Sequence, residues 1–353
     1  MESKPPPIDR SLPVRQDAEL LASGSSFTVA EIERLFEVDS PLLAQDPYLL
    51  SAPINTQKAR RSDWRVFCTF CRERHFTALP ATVAVLRAFL EACVEPARPK
   101  SAATVERYLA TIAHAHTLTD YPDPTKTAAI KGAHRHLIRG LPSSQPKAAL
   151  RGSHIDYALE HLHTRDLAWD LRAKALLATA YCTMARRAEL VALRVGDLSF
   201  NDKAGDGVAL IRNTKARREE SRYLSRTAVS ALKAWMAHAG IDSGWVFRRF
   251  LNTGAAAGSA LNAQEVARII QRVGRLLNSA ATAGEAPWPG ERLGGHSIRI
   301  GGAHDLAAAG IDLTSIMHSG GWNDAKMPRY YTRELAAQES GMARMMKRRA
   351  RRK

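Results

Sequence analysis

The stretch GGHSIRIGG, residues 294–302, sets an imidazole and a guanidinium three residues apart between two glycine pairs. Residues at i and i+3 share one face of a helix. Glycines ahead of a helix let its first turn approach a ligand, and the free N–H groups of that turn form an anion site. His296 and Arg299 therefore have the makings of half a phosphate clamp. Taken alone, a glycine turn and a helix start with two solvated side chains accounts for the same residues more simply. The remaining chemistry-bearing pieces are AYCTMARRAELVALRVGDL, IRNTKARRE and SGGWNDAKMPRYYTR, which hold paired arginines, a lysine, a tryptophan and paired tyrosines.

The bulk composition points the same way. The 353 residues carry 51 Lys and Arg against 35 Asp and Glu, a net charge of +16. Such a balance favours a polyanionic partner, most often nucleic acid. The basic residues cluster in ARRSDWR, MARRAEL, TKARREESR and VFRRF and in the tail KRRARRK. No run of about 18 apolar residues occurs, so no membrane span is expected. The start, MESKPPPIDRSLPVRQ, lacks the apolar core of a signal peptide. The expected location is cytoplasmic, associated with the nucleoid of a bacterium or encoded by a phage or plasmid. Four cysteines do not make a disulfide scaffold. Cys68, Cys71 and His75 form CxxCxxxH on one predicted helix, but no fourth ligand stands nearby. Trp64, Phe67 and Cys71 lie at helical spacing, and buried thiols in a core stripe account for the pattern.

The elements that must position these residues follow from periodicity. Residues 1–45 are rich in Pro, Ser and charge and are expected to be largely disordered, with one short helix in FTVAEIERLFEV. Four helical patterns follow within 46–141, with no strand signal: NTQKARRSDWRVFCTFCRERH, ATVAVLRAFLEACV, SAATVERYLATIAHAHTL and KTAAIKGAHRHLIRGL. The Pro, Ser and Gly of 142–154 read as a linker. The second domain, 155–346, opens with helices through DLRAKALLATAYCTMARRAELVALR. A small β region follows at VGDLSF, GVALIRNTK and ESRYLS, with turns at NDKAGDG and KARRE. Helices return at RTAVSALKAWMAHAG, NAQEVARIIQRVGRLL, SIRIGGAHDLAAAG and DLTSIMHSG, and the last pattern is ELAAQESGMARMMKRR. Residues 347–353 form a basic tail.

In this order, the four chemistry-bearing pieces resemble the signature of the tyrosine site-specific recombinases, the phage-integrase family. The resemblance spans about residues 50 to 346 and is strongest in the second domain. It implies a mainly α fold with a small β-sheet: a two-domain, C-shaped DNA clamp of a helical core-binding domain and a catalytic domain. Carried over by position, it makes Tyr331 the nucleophile, nine residues after Trp322, with Tyr330 the adjacent alternative. Arg186 and Arg299 become the phosphate-binding arginines, with Arg187 adjacent to the first. Glu189 becomes the acidic partner of Arg186, Lys215 the lysine of a β-hairpin, and His296 and Trp322 complete the set. His304 and His318 receive no chemistry.

These residue types suit attack on a phosphodiester, whose anionic oxygens repel a nucleophile. Two guanidinium forks bind the non-bridging oxygens and stabilise charge as it builds. An indole N–H adds a donor, and an imidazole donates to phosphate or takes the tyrosine proton. The chemistry calls for no cofactor, neither metal nor nucleotide. The resemblance further implies a double-stranded DNA partner carrying a specific recombination site, and a homotetramer on two such sites. It places Lys58 and Arg107 toward the major groove and Gln264 where base reading occurs; glutamine pairs well with adenine. Met342, Met345 and Met346 offer an apolar face for exchange of the last helix between protomers. Two other activities share the chemistry or the fold: a type IB topoisomerase acting as a monomer, and a DNA-binding protein without catalysis.

Overall fold

The computed structural model describes residues 54–350 except 120, 140, 142–146, 214–217, 252, 281–287, 290–292 and 339–340. The expected disordered start and short early helix lie outside the described residues, as do Lys215 and the last three residues of the basic tail. The chain divides into two compact units, with the break between Gln145 and Pro146.

The first unit is helical: α1 (Ile54–Glu73), α2 (Val83–Cys93), α3 (Ala102–Leu118) and α4 (Ala128–Arg139). Thr82 and Ser101 cap α2 and α3, their hydroxyls accepting from Val85 and Thr104 N–H. The faces predicted to be apolar converge on one core, in which Trp64, Phe67, Cys68, Cys71, Leu86 and Ile112 are buried. Burial pushes the Cys71 thiol up to about 12, the behaviour of an inert core cysteine. Among the described residues, no group of three or more His, Cys, Asp or Glu is placed to hold a metal.

The second unit begins with α5 (Gly152–His161) and α6 (Leu167–Thr183). Helix α6 is apolar on nearly every side and is buried along most of its length, as expected of a helix at the centre of a core. A five-residue helix, α7 (Arg187–Val191), leads into an antiparallel sheet of β1 (Leu198–Asn201), β2 (Asp206–Asn213) and β3 (Arg218–Leu224), in the order β1-β2-β3. The register pairs Ala209 with Arg222 and Asn213 with Arg218. Next come α8 (Arg226–His238) and a hairpin of β4 (Arg248–Phe250) and β5 (Ala256–Ala260). The chain ends with α9 (Ala263–Ala280), α10 (Ser297–Ala308), α11 (Leu313–Gly320), α12 (Lys326–Gln338) and α13 (Gly341–Ala350). None of the described helices is long and apolar enough to cross a membrane.

The structure refines or corrects the sequence reading in three places. The helices expected through DLRAKALLATAYCTMARRAEL divide at Met184: α6 stops at Thr183, and Met184 adopts φ 47°, ψ 28°. RRF and AAGSA form the unpredicted β4–β5 hairpin; charged and small residues carry little strand propensity. Helix α12 begins at Lys326, ahead of the predicted start, because Pro328 sits in its first turn, where a missing N–H costs nothing.

Candidate phosphate and tyrosine site

The break at Met184 creates the first half of the site. A left-handed non-glycine residue costs on the order of 1–3 kcal/mol. The Met184 side chain is buried against Ala303 and Ile316, and its carbonyl accepts from the Arg299 guanidinium. The turn brings Arg186 to the N-cap of α7 rather than to a helix face. Glu189, three residues on, accepts the Arg186 main-chain N–H at 2.8 Å and its Nη1 at 2.7 Å. The other nitrogen, Nη2, donates to the Gly321 carbonyl at 3.2 Å. Gly321 takes φ 60° as the C-cap of α11, a conformation that suits glycine, and turns that carbonyl toward Arg186.

The second half is carried by α10. His296 is its N-cap residue, and Arg299 lies one turn on, almost wholly buried. The helix sits close to the chain at Leu150, whose N–H donates to the Ser297 carbonyl at 2.9 Å. A Cβ at Gly301 would overlap the Leu150 carbonyl, so the second glycine pair serves close packing. Asp305 ties down the far end, accepting from Gly152 N–H and Tyr181 Oη, each at 2.7 Å. Arg299 stacks on the Trp322 ring, 4.0 Å from its centroid. Its Nη2 is buried and has no hydrogen-bond partner among the described residues. Burial, then the charge of Arg186, push this guanidinium down to about 9, with Glu189 opposing and Arg222 adding to the fall.

Three cationic side chains also face His296. Crowding by protein, then the charges of Arg299, Arg187 and Arg186, hold its pKa below the usual 6.5. Trp322 follows the Gly320–Gly321 turn, and its ring lies 6.2 Å from that of Tyr331. Tyr331 is half-buried on α12 and packs against the Met184, Ala303 and Ile316 cluster. Burial raises its phenol, opposed by the Arg299 charge. Tyr330, the adjacent alternative, is exposed, with the Arg333 guanidinium 4.7 Å from its ring centroid. Arg187 is likewise exposed, beside Gly295.

The structure thus brings together Arg186, Glu189, His296, Arg299, Trp322 and Tyr331. Lys215 lies outside the described residues, in the connection between β2 and β3. Among the expected DNA-reading residues, Lys58 on α1 and Gln264 on the first turn of α9 are exposed. Arg107 on α3 is half-exposed but already forked onto the buried Asp63, with Nε and Nη2 donating at 2.6 and 2.8 Å. His318 lies in the last turn of α11.

Two contributors escaped the sequence reading. Arg222 on β3 is buried and donates to the Thr183 and Ser319 carbonyls and to Glu220. It joins the chain just before Met184 to the chain just before Trp322. Period-two alternation carried the signal, since Leu224 faces the core and Arg222 shares its side of the strand. The other is His304, whose Nε2 lies 2.7 Å from the Tyr331 carbonyl oxygen.

Comparison with known proteins agrees with this geometry. The phage integrase family model matches residues 149–338, which include every member of the cluster. Recombinase Cre of Escherichia phage P1 is 26% identical over 299 residues, covering 80% of this chain and 84% of Cre. An integrase/recombinase xerD homolog of Selenomonas ruminantium is 25% identical over 287 residues, covering 78% and 81%. Among solved structures, the Tn1549 transposon integrase in complex with circular intermediate DNA superposes with a TM-score of 0.58 at 17% identity, covering 82% of this chain and 93% of that one. A half-chain family match over the segment that builds the arginine, histidine and tyrosine cluster makes this chain a member of the phage integrase family, the tyrosine recombinases.

Proposed function

We propose that the chain cuts and rejoins DNA at a specific site through a 3′-phosphotyrosyl intermediate, using Tyr331 as nucleophile. One observation carries this reading. Arg186 and Arg299 form a cationic pair beside Tyr331, with the neutral His296 next to them and a buried Arg299 donor unpaired among the described residues. A non-bridging phosphate oxygen is the acceptor such a donor lacks. Arg186 and Arg299 grip the two non-bridging oxygens, and Trp322 supports Arg299. Tyr331 Oη attacks phosphorus and gives up its proton to His296. The bond from phosphorus to the 5′ oxygen breaks, and Lys215 supplies the proton that makes the free 5′-hydroxyl. In the reverse step an incoming 5′-hydroxyl displaces the tyrosine, so the ester stores the bond energy. Side-chain cations stabilise the transition state, and the step balances without metal or nucleotide.

Exchange between two duplexes requires four such sites, and we assign the protein a homotetrameric synapse passing through a Holliday junction. Exposed Met342, Met345 and Met346 on α13 give a neighbouring protomer an adaptable face. Lys58 and Gln264 are assigned to base reading, with glutamine favouring adenine. Arg107 retains Nη1 for the backbone. The test is covalent capture: incubation with a randomised duplex pool, denaturation, recovery of protein-linked DNA, sequencing, and mapping of the attached peptide. The reading expects one enriched sequence attached at Tyr331. Attachment at another residue, or no covalent product from any duplex, overturns it.

A further inference from the structure

The Tyr331 side chain can meet phosphorus in line only if α12 is fixed along its own axis relative to α10, which carries Arg299. The apolar contacts between these helices fix their separation but set axial position weakly, since an apolar contact has no direction. Among the described residues, one directional contact joins the two helices. His304 on α10 places Nε2 2.7 Å from the main-chain carbonyl oxygen of Tyr331 itself. A carbonyl only accepts, so Nε2 carries the proton and donates. A helical carbonyl has two lone pairs, so it can serve its own helix and still accept from His304. The other ring nitrogen, Nδ1, is buried and has no hydrogen-bond partner among the described residues. Among the described residues, the ring's one hydrogen bond is the one to Tyr331. His304 lies five residues beyond Arg299, about 7.5 Å further along the axis. The far end of α10 is held by Asp305, through Gly152 and Tyr181.

We propose that His304 is a positioning residue for the nucleophile: its Nε2–H fixes the height of Tyr331 over the Arg299–Trp322 pair without touching DNA. This rests on Tyr331 being the nucleophile. Arg299 and Tyr331 are thereby registered through one rigid helix, with the phosphate-binding group at one end and the tether at the other. A misplacement of about 1 Å costs on the order of 100-fold in rate.

The experiment uses the full-length protein and the duplex recovered by covalent capture, resynthesised with either oxygen or sulfur at the bridging 5′ position. Two variants are compared with the unaltered chain. His304→Leu keeps bulk and removes the donor. His304→Gln keeps an N–H at the same reach from Cβ. The expected result is duplex binding and melting temperature unchanged in both variants. Adduct formation falls roughly 10- to 100-fold in His304→Leu and returns to within about 3-fold of the unaltered rate in His304→Gln. Bridging sulfur is a good leaving group that needs no proton, so it relieves a defect in leaving-group protonation. It does not relieve a misplaced nucleophile, and the His304→Leu deficit persists on the sulfur substrate. Full activity of His304→Leu, equal loss in His304→Gln, or rescue by sulfur overturns the proposal. Absence of adduct from the unaltered protein overturns the phosphotyrosine reading as well, so the two failures are distinguishable.

Discussion

Arg299→Met tests whether the cluster is held ready for an anion. The guanidinium is buried, one of its nitrogens has no partner, and Arg186 and Arg222 repel it. A fall from the ordinary arginine range to about 9 leaves it charged at neutral pH, at a cost to folding on the order of 5 kcal/mol. The sign follows from the direction: a base depressed on folding is penalised fully below about pH 9 and relieved only as the pH climbs toward the ordinary arginine range. Methionine is similar in length and removes that penalty. It also forfeits the bond to the Met184 carbonyl and the stack on Trp322, together worth about 2–5 kcal/mol. The balance lies between zero and about 3 kcal/mol in favour of methionine. At roughly 2–4 °C per kcal/mol for a unit of this size, the melting temperature should be unchanged or raised by up to about 10 °C. An arginine neutralised inside the protein behaves in the opposite way, costing about 3–5 kcal/mol when its pairing is broken.

The assay is calorimetry of both proteins in chloride and in phosphate at matched ionic strength. Phosphate at about ten times its dissociation constant adds about 1.4 kcal/mol to the native state that binds it. The unaltered protein should gain about 3–6 °C in phosphate and Arg299→Met should gain none. A melting temperature lowered by more than about 6 °C in Arg299→Met, or equal gains in phosphate, would refute the idea of an uncompensated charge.

Four further outcomes are expected. Tyr331→Phe should bind the site and form no covalent adduct on a denaturing gel, while Tyr330→Phe should still form one. At limiting DNA the cleavage rate reports the free protein, so its acid limb should fall below pH 6.5, because the depressed His296 remains neutral above that point. A chain of net charge +16 making about 6–10 phosphate contacts should lose roughly 10³–10⁵ in affinity between 50 and 200 mM salt in a filter-binding titration. Deleting residues from Gly341 onward removes Met342, Met345 and Met346 and should leave half-site binding intact while abolishing cooperative full-site binding in a gel-shift assay.

The sequence was most informative where the signal was local. Helices α1 to α4 follow from apolar spacing, and the sheet follows from short β-rich runs broken by Asp, Gly and Lys. The residue types of the cluster are visible because each sits in a distinctive short motif. Three features of its construction are not local. The stop after Thr183 has no Gly or Pro to mark it, and its partner lies over 100 residues away, in the Arg299 guanidinium that takes the Met184 carbonyl. Arg222 reads as one more charge in a basic run until the strand register turns it inward beside Leu224. His304 has an ordinary helical context, and its significance comes from the Tyr331 carbonyl on another helix. Propensity governs backbone state within a few residues; these positions are set by partners that only the assembled fold brings near.

Those partners share a chemical property. Arg299 is oriented by the Met184 carbonyl, Arg186 in part by the Gly321 carbonyl, and Arg222 by those of Thr183 and Ser319. A carboxylate would also orient a guanidinium, but it would cancel the charge. A carbonyl dipole aims the group and leaves the full positive charge in place. The carboxylates that do pair with these arginines are Glu189, shared with the Arg186 main chain, and Glu220 on the strand beside Arg222. Two of these carbonyls, of Thr183 and Ser319, lie in the last turn of a helix, where carbonyls are free, and the other two belong to the left-handed Met184 and Gly321. Strained backbone and surplus charge are thus two aspects of one arrangement: the fold spends stability on oriented carbonyls so that the positive charge stays available to an anion.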